Sequence, residues 1–434
     1  MDHSNTVEVA TNLMVELLPA PESVMEAGVG QTILEDLALK ILYLAGTLSL
    51  WELSARIRLG IGVVNELLRR LRAEQLCEIT GMTRNTPQIA ITSGGRSRAL
   101  ELLSLNQYAG AAPVSLDSYV QQVRRQSTGN LEMHPRDVQR AFADLVLDDA
   151  VLEQLGTALN SGASIFLYGS TGSGKTSIAL ALSKVLALDS VWIPFAVEVD
   201  GQIISVYDPH VHSKIDSSMS RGSDPRWVLC QRPSVLVGGE LTIEMLELQL
   251  NPTTKFYTAP VQMRANNGTL IIDDFGRQRL RPEELLNRWV VPLDRRTDFL
   301  TLAGGKKVEV PFDLLVVFAT NLQPSTLADA AFLRRIQTKI KVGAVSERQF
   351  HEIFRRVSGE LGLQCDDGII DELIDVIRDK RKEPLRACHP RDIVNQVRWA
   401  ARYWEKEPCL DREALLAAVN RYFVSDIDDQ DYKP

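Results

Sequence analysis

The sequence predicts an α/β fold in which a parallel sheet carries a phosphate-binding loop, with a small helix-and-hairpin module ahead of it and a helical domain behind. Three observations predict it. The run Gly169-Ser170-Thr171-Gly172-Ser173-Gly174-Lys175-Thr176-Ser177 spells G-x-x-x-x-G-K-T between an apolar strand, Ser164 to Tyr168, and a helical pattern, Ser177 to Leu186. A second apolar run, Gly268 to Ile272, ends in the paired acids Asp273 and Asp274. A third, Leu314 to Ala319, ends in Thr320-Asn321.

Size and charge narrow the possibilities. A chain of 434 residues fits about two to four domains. Hydrophobic content of 45% and charged content of 24% are those of a soluble globular protein. A net charge of -8 argues against wholesale attraction to nucleic acid or anionic lipid, while leaving room for a local basic patch. The five cysteines, Cys77, Cys230, Cys365, Cys388 and Cys409, are scattered and include no C-x-x-C pair. They point to a reducing compartment and away from a disulfide framework or a thiolate zinc site. Residues 1–5 lack a basic n-region and the apolar runs are strand-sized, so neither a signal peptide nor a membrane span is expected and the cytoplasm is the expected location.

Taken in order, residues 1–30, with Pro19, Pro21, Gly28 and Gly30 around a short apolar stretch, read as a flexible arm. Leu34, Leu37, Ala38, Ile41 and Leu42 mark a first helix that stops at Gly46. Ser49-Leu50-Trp51-Glu52 opens a second with a capping box, and Val64, Leu67, Leu68 and Leu71 form the buried face of a third. Strands over 76–80 and 88–92 follow, joined by a loop with Gly81, Arg84, Asn85 and Pro87. Three helices and a hairpin over 31–107 resemble a winged helix-turn-helix. Arg69, Arg70, Arg72 and Arg84 suit phosphates, yet Gly60-Ile61-Gly62-Val63-Val64 at the start of the third helix offers almost no side chain able to read a base edge. A docking or dimerising role is weighted above DNA contact. Residues 108–129 form a linker, 130–345 the nucleotide-binding domain and 346–434 a helical lid. The stretch from Lys175 to Asp273 exceeds what one helix and one strand need, so a β-rich insertion is expected over about 190–260.

The chemistry follows from residue types. The loop glycines let successive N–H groups face one anion, Lys175 adds a point charge at the outer phosphates, and Thr176 offers a hydroxyl to Mg²⁺. The helix after the loop presents its positive end to the same phosphates. Asp273 is expected on the metal, Asp274 on the attacking water, and the Asn321 amide on the γ-phosphate and the water. Arg334 and Arg335 place two guanidiniums after 329–333, where a bidentate fork reaches a phosphate, and Arg391 follows Pro390 at a helix start.

With these parts in this order, residues 130–425 resemble the AAA+ ATPases. Lys175 and Thr176 match Walker A, Asp273 and Asp274 Walker B, Asn321 sensor 1, Arg335 the arginine finger and Arg391 sensor 2. The run Gln262 to Leu270, and the hairpin Thr297 to Val310 turning at Gly304-Gly305 after Leu286 to Arg296, are similar to the branch that holds MoxR-type ATPases and bacterial enhancer-binding activators. No G-A-F-T-G-A loop and no C-terminal helix-turn-helix is present. The resemblance implies ATP and Mg²⁺ as cofactors, hydrolysis in a ring of six subunits with Arg335 acting on a neighbour's nucleotide and Arg334 as the alternative finger, and remodelling of a protein client. Two rival readings stand beside it. One is a DNA-associated ATPase or regulator gripping DNA through the winged helix. The other is a slow nucleotide-held switch, because Asp274 is one methylene shorter than the usual glutamate and a misplacement of about 1 Å can cost about 10²-fold in rate.

Weaker signals remain. Asp208-Pro209-His210-Val211-His212 sets an H-x-H pair that on a strand would face one side, with a polar strand edge or loop as the preferred reading over a metal site. The six tryptophans are expected to serve packing rather than base stacking. Residues 221–226 read as an exposed loop within the insertion, belonging to a substrate or a partner surface.

Overall fold

The computed structural model describes residues 17–83, 86–216, 222–327 and 333–423. Residues 1–16 of the expected arm, Arg84 and Asn85 in the hairpin loop, Arg221, and 329–332 ahead of Arg334 lie outside the described residues. The chain divides into two compact units, one of residues 1–131, 186–271 and 278–316, the other of 132–185, 272–277 and 317–434.

In the first unit, apolar residues at helical spacing bury one face each of Gln31–Ala45, Leu50–Ile57 and Ile61–Ala73. The second helix opens with the expected capping box, Ser49 accepting from the Glu52 N–H while the Glu52 carboxylate accepts from Ser49. Strands Leu48–Ser49, Thr86–Ile91 and Cys77–Thr83 form an antiparallel sheet in that order. The hairpin is longer than its apolar core suggested, since Met82 and Thr83 continue the ladder opposite Pro87 and Thr86. A further helix, Ser93–Leu105, follows, its N-terminus capped by Thr92 Oγ1 accepting from the Gly95 N–H at 3.0 Å.

Two expectations for this unit are corrected. Residues 17–30 are no loose arm, because Val24, Ala27 and Val29 are buried in the same core as the first three helices. Nor is 108–129 a free connector. Val114–Ser115 pairs in parallel with Ala196–Val199, and Tyr119 and Val123 of helix Leu116–Arg125 are buried against the insertion. Short apolar stretches next to proline and glycine read as exposed when their partners lie some forty to eighty residues away in sequence.

The insertion contains a five-stranded sheet in the order Gln249–Leu250, Tyr257–Thr258, Gln202–Ser205, Ala196–Val199, Val114–Ser115, and an antiparallel pair, Ser190–Pro194 with Trp227–Gln231. The loop after 221 is not the exposed feature its polar residues suggested. Asp224 and Arg226 form a buried, bidentate ion pair, and Arg226 Nη1 also donates to the Ala27 and Pro113 carbonyls. Thr297–Thr301 and Lys307–Pro311 form an antiparallel hairpin whose tip holds Gly304 and Gly305 at φ +98° and +85°.

The second unit holds the strand Ile165–Tyr168, hydrogen-bonded in parallel to Leu315–Thr320 on one side and Thr338–Lys341 on the other. The strand order is Ser234–Val237, Thr269–Ile272, Leu315–Thr320, Ile165–Tyr168, Thr338–Lys341, of which Ser234–Val237, 269–271 and 315–316 are residues of the first unit. Near-continuous burial of the three inner strands, Thr269–Ile272, Leu315–Thr320 and Ile165–Tyr168, is what a sheet covered on both faces requires. Phe166, Phe275 and Phe318 pack ring to ring with centroids 5.0–6.1 Å apart. Helices Glu347–Glu360, Asp367–Asp375, His389–Tyr403 and Arg412–Tyr422 bury Phe350, Phe354, Ile370, Leu373, Ile393 and Leu415 against one another. The chain thus adopts the α/β class, with a phosphate-loop sheet and a C-terminal helical domain.

The tryptophans are only half accounted for by packing. Trp192, Trp227 and Trp289 are buried, but Trp51, Trp399 and Trp404 are 63%, 60% and 68% exposed. His210 and His212 lie in a turn and not on a strand. Both His212 ring nitrogens are used within the fold, Nδ1 accepting from the Asp208 N–H at 2.8 Å and Nε2 donating to the Arg264 carbonyl at 2.9 Å. Among the described residues no helix is long and apolar enough to cross a membrane.

Candidate nucleotide-binding site

The strand Ile165–Tyr168 ends at Gly169 and the next helix starts at Lys175, so 169–174 is a turn at the carboxyl edge of the sheet. Two glycines there are sterically required. A Cβ on Gly169 would stand 1.9 Å from the Val342 carbonyl oxygen, and one on Gly172, at φ +76°, would stand 2.5 Å from Cys388 Sγ. The loop is therefore pressed between the chain after Thr338–Lys341 and the helical domain, with no room for side chains at these points.

Lys175 Nζ donates to the Gly169 and Ser170 carbonyls at 3.0 and 2.8 Å. Burial pushes its pKa down, opposed by the negative charges of Asp273 and Asp274. Thr176 Oγ1 donates to Asp273 Oδ2 at 2.9 Å, joining two residues 97 positions apart. Asp274 follows at φ +48°, a left-handed conformation that aspartate tolerates better than most residues, and its N–H donates to Asp273 Oδ1 at 2.9 Å. The two strand ends are clipped together. The Phe275 N–H donates to the Ala319 carbonyl at 2.8 Å and Thr320 Oγ1 to the Phe275 carbonyl at 2.6 Å. Asn321 Nδ2 in turn donates to Thr171 Oγ1 at 3.3 Å.

These residues line one cavity of about 430 Å³, within the ordinary range for small-molecule sites. Thr171 to Ser177, Asp273, Asp274, Asn321 and Arg391 give it polar and charged groups. Leu145, Val146, Leu147, Val345, Ile353 and Val357 give it apolar ones. A lining of that kind suits a ligand with an anionic end and a flat, weakly polar end. The apolar residues at 145–147 escaped the sequence reading, although the pair Val146-Leu147 just ahead of the N-cap Asp148 was a visible signal.

The donor set also fits a hard divalent cation. Mg²⁺ takes one or two protein oxygens and completes its shell with water and phosphate. The Thr176 hydroxyl and the Asp273 carboxylate, 2.9 Å apart, supply that number. Ser173 Oγ is buried without a hydrogen-bond partner among the described residues, as expected of a loop built to meet a further polar group.

The expected arginines fall in different places. Arg391 lines the cavity from the start of helix His389–Tyr403, 66% exposed and 3.9 Å from Glu360. Arg334 and Arg335 sit in the turn ahead of Thr338–Lys341, and neither lines the cavity. Of the three, only Arg391 shares the cavity with Lys175.

Cys388 and His389 were not anticipated. The Cys388 N–H donates to the Gly172 carbonyl at 3.1 Å, a backbone tie from the helical domain to the phosphate loop. His389 is fully buried between the rings of Tyr422 and Phe423, with Nδ1 accepting from the Arg386 N–H at 3.3 Å. Burial, helped by the nearby Arg386 charge and opposed by Asp392, pushes its pKa down to about 4. As pH falls below the ordinary histidine value near 6.5 the unfolded chain takes the proton first, so the stability of the neutral, packed imidazole is complete above about 6.5 and is lost toward 4. The thermal midpoint is expected to fall over this window, and His389→Phe is expected to flatten the slope. An equal slope in both proteins would contradict this.

Residues 346–421 match the family described as Domain of unknown function (DUF8689). No curated protein matches the chain. Among solved structures it is similar to NtrX from Brucella abortus in complex with ATP, at 14% identity over 71% of this chain and 62% of that one, with a TM-score of 0.39. For NtrX in complex with ADP the identity is 15% over 78% of this chain and 69% of that one, with a TM-score of 0.40. For the Thermotoga maritima RuvB Holliday junction branch migration motor it is 14%, over 64% of this chain and 71% of that one, with a TM-score of 0.37. The chain spans 62% of the length of the first of these.

Proposed function

We propose that this chain is a cytoplasmic AAA+ ATPase that binds Mg²⁺-ATP in the cavity around Lys175 and hydrolyses it as part of a ring, remodelling a protein client in the manner of MoxR-like ATPases. The observation that carries the reading is the 2.9 Å contact between Thr176 and Asp273, with Lys175, Asp274 and Asn321 on the same cavity. In this reading the N–H groups of 170–177 and Lys175 hold the phosphates, and Arg391 reaches them from the helical lid. Thr176 and Asp273 hold the magnesium, which screens phosphate charge. Asp274 orients the attacking water and Asn321 reads the γ-phosphate. Five free cysteines agree with a reducing compartment.

The N-terminal module is read as a winged helix that docks the client or a second subunit. Its third helix begins under the chain's own backbone, with Cβ positions at Gly60 and Gly62 only 3.8 Å from the Pro21 and Glu22 carbonyls. The Val24 N–H donates to Glu66 of that helix at 3.3 Å. A helix start covered in this way is poorly placed for a DNA groove, which favours a protein partner.

Arg335 is the finger, with Arg334 as its alternative, and it completes a neighbour's site. Arg335→Ala and Lys175→Ala subunits are each expected to be nearly inactive, since a finger supplied in trans contributes roughly 10³ to 10⁵ in rate. Mixed, they are expected to regain part of the wild-type turnover, because some interfaces then pair an intact loop with an intact finger. Absence of rescue at every ratio counts against a shared site. The same assay reads the second interpretation, a slow switch, which the short and left-handed Asp274 favours. A wild-type turnover of minutes or longer with tight nucleotide retention selects the switch.

A further inference from the structure

Helix His389–Tyr403 begins at the nucleotide cavity, and helix Arg412–Tyr422 is the last described element of the chain. Their contact is polar as well as aromatic. Tyr422 Oη donates to Asp392 Oδ2 at 2.9 Å and stands 3.8 Å from Cys388 Sγ. Asp392 and Cys388 both line the cavity, and Asp392 is the immediate neighbour of Arg391. Cys388 binds the Gly172 carbonyl through its N–H, and its Sγ occupies the space that a side chain at Gly172 would need. One phenol hydroxyl thus sits behind two cavity residues and, through Cys388, one backbone bond from the phosphate loop. Burial and the bonds to Asp392 and Cys388 raise the Tyr422 pKa, so the hydroxyl keeps its proton and remains a donor.

We infer that Tyr422 is a positioning residue for nucleotide binding, its hydroxyl fixing Asp392 and the start of helix His389–Tyr403 so that Arg391 and the Cys388–Gly172 tie are held in register with the phosphates. The inference rests on the nucleotide-binding reading of the cavity. Packing is already supplied by the His389 and Phe423 rings, at centroid distances of 5.7 and 4.9 Å from Tyr422. The hydroxyl is therefore separable from the ring. Tyr422→Phe keeps the ring and deletes the donor.

The test is calorimetric titration of the full chain with Mg²⁺-ATP, with steady-state turnover and a thermal melt of the nucleotide-free protein. Tyr422→Phe and Asp392→Ala are each expected to raise Kd and KM by about fivefold to tenfold, the scale of one ordinary net hydrogen bond. The kcat should change less than the KM, and the Tyr422→Phe melting midpoint should stay near that of wild type. Since both substitutions remove the same bond, the double variant should bind no worse than the weaker single variant. Wild-type binding with Tyr422→Phe within twofold of it overturns this inference alone. A purely additive double variant, or a fall in melting temperature without a change in Kd, also overturns it. No binding by wild type at millimolar ATP overturns the nucleotide reading itself.

Discussion

Lys175→Ala is expected to abolish measurable ATP hydrolysis and to weaken Mg²⁺-ATP binding at least tenfold, while leaving the nucleotide-free fold as stable as wild type. The ammonium donates to the loop's own Gly169 and Ser170 carbonyls. Burial lowers its pKa there, so keeping the charge works against stability, and removing it releases that cost along with two hydrogen bonds. The gain is collected only when phosphates arrive. Loss of one preorganised donor at a developing charge typically costs about 10² to 10³ in rate. Calorimetry, a phosphate-release assay and a thermal melt on the same preparation check the three parts together. Unchanged turnover would remove Lys175 from the site and the ATPase reading with it. A collapse of the melting temperature would instead mark Lys175 as a structural residue.

Arg226→Met should be the most destabilising single change in the first unit, at about 3–5 kcal/mol. The guanidinium grips Asp224 through Nε and Nη2 at 2.8–3.1 Å, and both side chains are 5% exposed. Its Nη1 also holds the Ala27 and Pro113 carbonyls at 2.7 and 3.3 Å, stitching three distant stretches of chain. Methionine fills the volume but leaves a buried carboxylate unpaired and two carbonyls unsatisfied. At roughly 2–4 °C per kcal/mol for a unit of this size, the melting midpoint should drop by about 10 °C. Adding Asp224→Leu should recover much of the loss, because an apolar pair of similar volume removes the stranded charge. If the single variant melts with wild type, the pair is not the clamp its geometry describes.

Sequence legibility followed the range of the interactions involved. The capping box at Ser49 and Glu52 and the glycines at the hairpin tip are settled within a few residues, and they were readable as patterns. The phosphate loop was equally plain, because its chemistry lies in nine consecutive residues. Asp273 stands out from the run of apolar strand residues before it, whereas its 2.9 Å contact with Thr176 appears only in the folded chain. The packed state of 17–30 and 108–129 escaped, since their partners lie across the chain in Ile61–Ala73 and Ala196–Val199.

What the sequence by itself determined is therefore local chemistry: the α/β class, the loop around Lys175, the paired acids and the helical character of 346–423. Which further residues wall the cavity around them was decided by tertiary structure. The hydrophobic walls at 145–147 and 342–345 and the tie from Cys388 to Gly172 depend on distances between residues far apart in the chain. Periodicity and motif spacing report how a segment treats its own neighbours. Burial and hydrogen bonding between remote segments follow only once non-polar surface has been removed from water around all of them together.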